Sequence, residues 1–248
     1  MNPSASCSSS FKGSYEAGFS LLELAIVLVI LGIIGGVSIP LVTTHMTRTA
    51  LFKTRANQDY VLSAIAVYVG KHNRFPCPAE AHIVGAKFGM EPDRCRMEDV
   101  KGIIPFKTLG ISESYASDGF KRLMTYVVEP DLAKRDTTLG GEKGGFITVK
   151  NEAGFPVLPT PQKAEKNPNH VAVVLISHGE NGVGAYIGKG QTGKFIGHAL
   201  SPHKRENCDE NFVFIESSQS DDILRWESRD QFLQHYVGGV RRTKVTTH

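Results

Sequence analysis

The feature that most constrains this chain is an apolar block close to its start. From Phe19 to Val42 a single charged residue occurs, Glu23, and from Leu24 to Val42 there is none. A helix needs about 20 apolar residues to cross the hydrocarbon core of a bilayer, so the block is long enough to span a membrane. The rest of the chain is ordinary. Of 248 residues 41% are hydrophobic and 21% charged, a composition that folds rather than stays disordered. The formal net charge is only +3, which predicts no preference for nucleic acid or anionic surfaces. The 25 glycines point to a turn-rich body.

The block does not read as a cleavable secretory signal. Such a signal has an apolar core of about 7–15 residues followed by a small-x-small site. Here the core is longer, and Ile39-Pro40-Leu41-Val42 closes it without such a site. An ordinary signal anchor fits better but leaves Glu23 unexplained. A carboxylate inside an apolar segment costs about 2.5–3.5 kcal/mol near the bilayer centre, and less near an end. It is kept either because it stays wet at headgroup level or because it has a partner.

The string Gly18-Phe19-Ser20-Leu21-Leu22-Glu23-Leu24, leading into Ala25-Ile26-Val27-Leu28, resembles the type IV prepilin signature shared by type IV pilins and type II secretion pseudopilins. Pro40 stands where many pilins carry a helix-bending proline. The resemblance implies that a prepilin peptidase cuts between Gly18 and Phe19 on the cytoplasmic side and that the new amino group of Phe19 is N-methylated. Residues 1–18 are then a leader, and the apolar helix stays on the mature chain. It further implies that Glu23 pairs in a filament with the terminal amine of a neighbouring subunit, each charge offsetting the other's burial. The implied partners are other pilin or pseudopilin subunits and an inner-membrane assembly platform. The implied location is the bacterial inner membrane, single-pass, with a periplasmic C-terminal domain.

Two features depart from the pattern. Glu16-Ala17 precedes Gly18 where a basic residue is common. Lys12 on one side of the block and Arg48, Lys53 and Arg55 on the other favour the opposite orientation by charge counting. Within the block, Gly32 and Gly36 have a small-xxx-small spacing. Pro40, with Gly35 and Gly36, marks a weak stretch where a kink is expected.

Beyond the block the pattern stays helical. Val42, Met46 and Ala50, then Phe52, Ala56, Tyr60, Ala64 and Tyr68 recur at stride four among polar residues, which predicts an amphipathic helix over 43–73. Pro76 and Pro78 stop it. Segment 76–110 reads as loops. Strand character appears over 123–128, 145–149, 171–176, 212–215 and, more weakly, 223–226, and the proline-rich stretch 150–169 reads as a surface loop. The expected fold is α+β and pilin-like: a long N-terminal helix, transmembrane over 19–42, packed on a small antiparallel sheet with long loops in a C-terminal domain over 74–248. Gly102–Gly110, Asp118–Tyr126 and Ser177–Tyr186 are also similar to segments of bacterial prepilin-like proteins with uncharacterised C-terminal domains.

Of the four cysteines, Cys7 leaves with the leader. Cys77, Cys95 and Cys208 remain, so one disulfide and one thiol are expected in an oxidising compartment. Pairing Cys77 with Cys95 closes an otherwise loose loop, a gain of about 3 kcal/mol, and is favoured. Cys208 with either one stays open. No catalytic residue is expected. Adjacent Ser177 and His178 on a strand point to opposite faces, and there is no Gly-x-Ser-x-Gly elbow. Glycines 179, 182 and 184 are not followed by the Lys-Ser/Thr of a phosphate loop. The nine histidines lack zinc spacing. Asp221-Asp222 is the one weak pointer to calcium, with no EF-hand pattern beside it, so no cofactor is expected. Arg241, Arg242 and Lys244 form a short basic tail, too little to predict nucleic-acid binding. The functional expectation is a structural subunit, in a minor rather than major role given the length of the chain, of a pilus or pseudopilus. The competing expectation is a membrane-anchored periplasmic enzyme or binding domain.

Overall fold

The computed structural model describes residues 20–96, 99–134, 145–158, 170–186, 202–209 and 211–238. The chain divides into two compact units that part between Met46 and Thr47. The first holds the start of α1 (Leu21–His72). This helix continues through Pro40, where the sequence predicts a kink, and the side chains of residues 35–43 lie outside the described set. Among the described residues no helix is long and apolar enough to cross a membrane. The span expected over 19–42 is therefore represented only by side chains up to Ile34.

The second unit follows in the order β1 (Lys101–Ile103), α2 (Phe106–Leu109), α3 (Glu113–Ala116), β2 (Thr125–Val128), α4 (Pro130–Ala133), β3 (Thr148–Lys150), β4 (Val171–Ser177), α5 (Pro202–Cys208), β5 (Val213–Ile215), β6 (Ile223–Ser228) and α6 (Arg229–Phe232). The main sheet is antiparallel with order β1-β2-β4-β6. β3 and β5 form a second, two-stranded sheet that is parallel, in contrast to the antiparallel pairing expected. β4 is buried along its whole length, because both faces of the main sheet are covered. Val173 and Leu175 face a cluster with Val61, Leu62 and Ile65 of α1, whereas Val174 and Ile176 face one with Val149 of β3 and Phe214 of β5. That two-sided burial accounts for the unbroken apolar run of β4, which has no alternation to lose. β1 falls in the segment expected as loop. With only three residues, one of them Gly102, it has no pattern of its own. It is held by pairing with β2 on one side and a bridge to Ala79 on the other.

The helix face that packs on the sheet is not the one the stride-four reading picks out. Phe52 is 72% and Tyr60 45% exposed, while Thr54, Asn57, Gln58, Val61, Leu62, Ile65, Ala66 and Val69 are buried. The reason is that the first turns of the buried face are polar. Thr54 Oγ1 donates to the Ala50 carbonyl and accepts from the Gly119 amide, both at 2.9 Å. Asn57 Nδ2 donates to the carbonyls of Ser117 (2.7 Å) and Ser114 (3.1 Å), and Gln58 Nε2 to that of Ile223 (3.0 Å). These groups give the backbone of Ser114, Ser117, Gly119 and Ile223 hydrogen-bond partners inside the seam, where an unpaired buried group would cost about 1–3 kcal/mol. Gly119 is required here, since a Cβ on it would sit 2.0 Å from the Ala50 carbonyl oxygen. Tyr68, the last residue of the expected stripe, is buried.

The two readings of α1 separate in a thermal melt of the full chain in detergent. Leu62→Ala should lose about 2–5 kcal/mol, and Phe52→Ala should change stability by no more than about 0.5 kcal/mol. A larger loss from Phe52→Ala would mean that the stride-four face is the packed one.

Candidate functional site

The start of α1 is the first candidate. Gly18 and Phe19, the expected cleavage site, lie outside the described residues, as do Cys7 and the basic residues Arg241, Arg242 and Lys244. From Ser20 the geometry is that of a helix start: the Ser20 hydroxyl accepts from the Leu22 amide (3.3 Å) and its carbonyl from the Leu24 amide (3.0 Å). Glu23 falls in the first turn, where a carboxylate is favoured by the unpaired amides of the helix end. Every described side chain from Leu21 to Ile34 is exposed, and the large apolar ones range from 88% at Leu21 to 44% at Val27. The apolar surface therefore runs all the way round this part of the helix and not along one stripe. A helix apolar on all sides is stable only when something apolar covers it, whether protein or lipid. Gly32 has open space where a Cβ would stand, a flat spot suited to close helix approach.

The second unit is fastened where α1 ends. Cys77 and Cys95 form a disulfide. Beside it, Glu91 accepts from Arg74 Nη2 (2.8 Å) and Nη1 (3.0 Å), from the Tyr68 hydroxyl (2.7 Å) and from the Cys77 amide (3.0 Å). Burial alone would raise the Glu91 carboxyl. The hydrogen bonds from Arg74, Tyr68 and Cys77 outweigh it and hold the group below its ordinary value. The single carboxylate thus ties the end of α1, the residues after it and the disulfide loop together. Nothing in the sequence marks it, because its partners Tyr68, Arg74 and Cys77 stand 14 to 23 residues before it. Cys208 takes no part in the disulfide. Its sulfur lies 3.6 Å from the Val183 carbonyl oxygen.

Ser177 and His178 end β4 and enter a turn in which Gly179, Gly182 and Gly184 all have positive φ. Both side chains are buried, but they meet different groups. The Ser177 hydroxyl donates to Asp118 Oδ2 (2.8 Å). His178 Nε2 lies 3.0 Å from Thr125 Oγ1, and its Nδ1 3.7 Å from Asp222 Oδ1. Asp222 also accepts from Asn207 Nδ2 (2.9 Å), and Asn207 holds the β5 backbone through the Ile215 amide and carbonyl. Asp221 accepts from the amide and side chain of Asn181. These acids shape the turn. Among the described residues no group of His, Cys, Asp or Glu is arranged to hold a metal ion.

Glu129, just after β2, is fully buried. Its Oε2 accepts weakly from the amides of Phe146 (3.2 Å) and Gly145 (3.3 Å), while Oε1 has no hydrogen-bond partner among the described residues. Burial pushes its carboxyl up to about 7, more than the amides of Gly145 and Phe146 pull it down, and the nearby Asp131 adds to the rise.

Residues 13–39 match the family model of the prokaryotic N-terminal methylation motif, so the chain carries the prepilin-type signature. No curated protein and no solved structure matches it.

Because Glu129 binds its proton more tightly in the fold than in the unfolded chain, it favours the folded state fully below about pH 4.5. That contribution is lost as pH rises to about 7. The two values differ by enough to remove about 3 kcal/mol over that window. Glu129→Gln should flatten that part of the stability profile relative to the parent chain, measured by thermal melts from pH 4.5 to 8. Parallel profiles for the two proteins would refute it.

Proposed function

We propose that this chain is a structural subunit, in a minor role, of a type IV pilus or type II secretion pseudopilus. The observation that carries the reading is the methylation motif at 13–39 lying over a helix start whose side chains are apolar and exposed on every side from Leu21 to Ile34, Glu23 excepted. In this reading a prepilin peptidase cuts between Gly18 and Phe19 and methylates the new terminus. The apolar part of α1, including Pro40, holds the subunit in the inner membrane until the assembly platform draws it into a filament. There it packs against like helices of other subunits.

Glu23 is the registry device. In an apolar filament core its charge is costly alone, and the methylated amine of a neighbour's Phe19 offsets it only when subunits stack in step. The second unit then lies in the periplasm, an assignment supported by its Cys77–Cys95 disulfide. The role proposed for it is structural, not catalytic. Ser177 and His178 are turned to separate partners and share no reacting centre.

N-terminal peptide mass spectrometry on the protein from its native membrane fraction tests the pathway. The expected mature chain begins at Phe19 and carries one added methyl group. A chain that retains residues 1–18 would refute processing and leave an ordinary anchor. Glu23→Val should still be cleaved and yet fail to enter filaments, scored by immunogold labelling of sheared fibres. Normal incorporation of that variant would remove the registry role.

A further inference from the structure

The two edges of the main sheet are treated differently. At β1 the outer edge is closed: Ala79 and Ile103 exchange both backbone hydrogen bonds at 2.9 Å. At the other end lies β6, and the register fixes which of its backbone groups face outward. The Val128 amide donates to the Val100 carbonyl and the Glu129 amide to that of Ala172, so Val128 turns toward β1 and Glu129 toward β4. Ala172, Val174 and Ile176 therefore turn toward β2, and Val173, Leu175 and Ser177 toward β6. Their partners there are Glu227, Arg225 and Ile223. By alternation the amides and carbonyls of Leu224 and Trp226 point away from the sheet. No hydrogen bond reaches them from the described residues. β6 also lacks the proline or lysine with which natural edge strands are commonly blunted.

Beside the first half of this edge lies a cleft of about 780 Å³, bounded by the stretch of α1 from Thr47 to Asp59, Phe120, Glu180, the stretch 216–222 and Ile223, Leu224 and Arg225 of β6. Four carboxylates reach it, Asp59, Glu180, Glu216 and Asp221, against two guanidiniums, Arg55 and Arg225, while the carboxylate of Asp222 is buried against His178 and Asn207. Arg225 and Asp59 pair with each other (3.3 Å) and Glu227 also meets Arg225 (3.0 Å), which leaves Glu180, Glu216 and Asp221 against Arg55. The cleft is therefore acidic. Two copies meeting edge to edge would bring like charges together, which disfavours self-pairing.

We propose that β6 binds an extended, basic segment of a partner protein as a fifth strand of the main sheet. The incoming backbone pairs with the outward amides and carbonyls of Leu224 and Trp226. Strand alternation puts every second side chain on the α1 side, where Arg225 meets Asp59, and the others on the opposite face beside Leu224 and Trp226. The segment recognised thus has positive residues at alternate positions with apolar residues between them. This inference stands apart from the assembly role of the N-terminal helix, and either can fail alone.

Trp226 is the only tryptophan of the chain and sits on the edge in question, its indole NH 3.5 Å from Glu216 Oε2. The test uses the full chain in detergent micelles and an eight-residue peptide of alternating lysine and valine with blocked ends. Tryptophan emission and the anisotropy of a labelled peptide are read against empty micelles. Saturable binding with a shift in Trp226 emission is expected. N-methylating alternate peptide amides, or replacing lysine by glutamate, should abolish it, and the double variant Asp59→Asn with Glu180→Gln, which removes the carboxylates on the α1 side, should weaken it about fivefold. The proposal is overturned if the N-methylated peptide binds equally well, which would mean charge attraction alone. It is also overturned if no saturable shift occurs. Sedimentation showing the chain paired with itself in a way that the peptide does not compete away would equally overturn it.

Discussion

The second unit depends on the seam between α1 and the main sheet. Its lower part is apolar, with Val61, Leu62, Ile65, Ala66 and Val69 set against Val173, Leu175 and Tyr126. Its upper part is polar, and there Thr54, Asn57 and Gln58 supply hydrogen bonds to Gly119, Ser114, Ser117 and Ile223. The apolar part supplies non-directional burial energy, roughly in proportion to area. The polar part supplies direction, because each side chain amide or hydroxyl fits one arrangement of the loops around it. Where the helix ends, the Arg74–Glu91 pair and the Cys77–Cys95 disulfide continue the same fastening into the loop that follows.

One helix thus carries two opposite constraints. Over residues 54–69 it must be one-sided, because a single face meets the sheet and the other meets water. Over residues 21–34 it is apolar all round, because no described part of the chain covers it. The two patterns need different surroundings, and neither serves in place of the other. The methylation motif sits on the second pattern and not on the first. The segment that carries the signature is therefore the one that no described part of the chain covers.

Much of this is legible in the sequence, and the failures have physical causes. The motif can be read because Gly18, Phe19 and Glu23 stand at fixed offsets from an uncharged run. The central strands can be read because β2 and β4 are apolar enough to stand out against a turn-rich background. The helix face is misread because counting apolar residues at stride four finds Phe52 and Tyr60, which are exposed. It passes over Thr54, Asn57 and Gln58, which are buried as hydrogen-bond donors and acceptors. The short helices α2 to α6 escape because most are one turn long, below any period that could reveal them. The Glu91 node, the Ser177–Asp118 bond and the raised carboxyl of Glu129 are products of long-range packing. No local pattern announces them.

The asymmetry of the main sheet follows from how its ends are built. β1 is short and carries Gly102, whose missing side chain lets Ala79 approach: a Cβ there would lie 2.5 Å from the Ala79 carbonyl oxygen. That approach closes the edge, and Cys77, two residues before Ala79, anchors the covering segment through its disulfide. β6 has no such cover among the described residues. It is longer, and its alternate residues Ile223 and Arg225 face α1, where Gln58 and Asp59 meet them. A covering segment of the kind that closes β1 would need small residues at close approach, whereas β6 offers Leu224 and Trp226. The edge is kept from pairing at random by the carboxylates beside it. Selection by charge keeps a strand edge soluble and leaves it competent, which closing it with backbone would not.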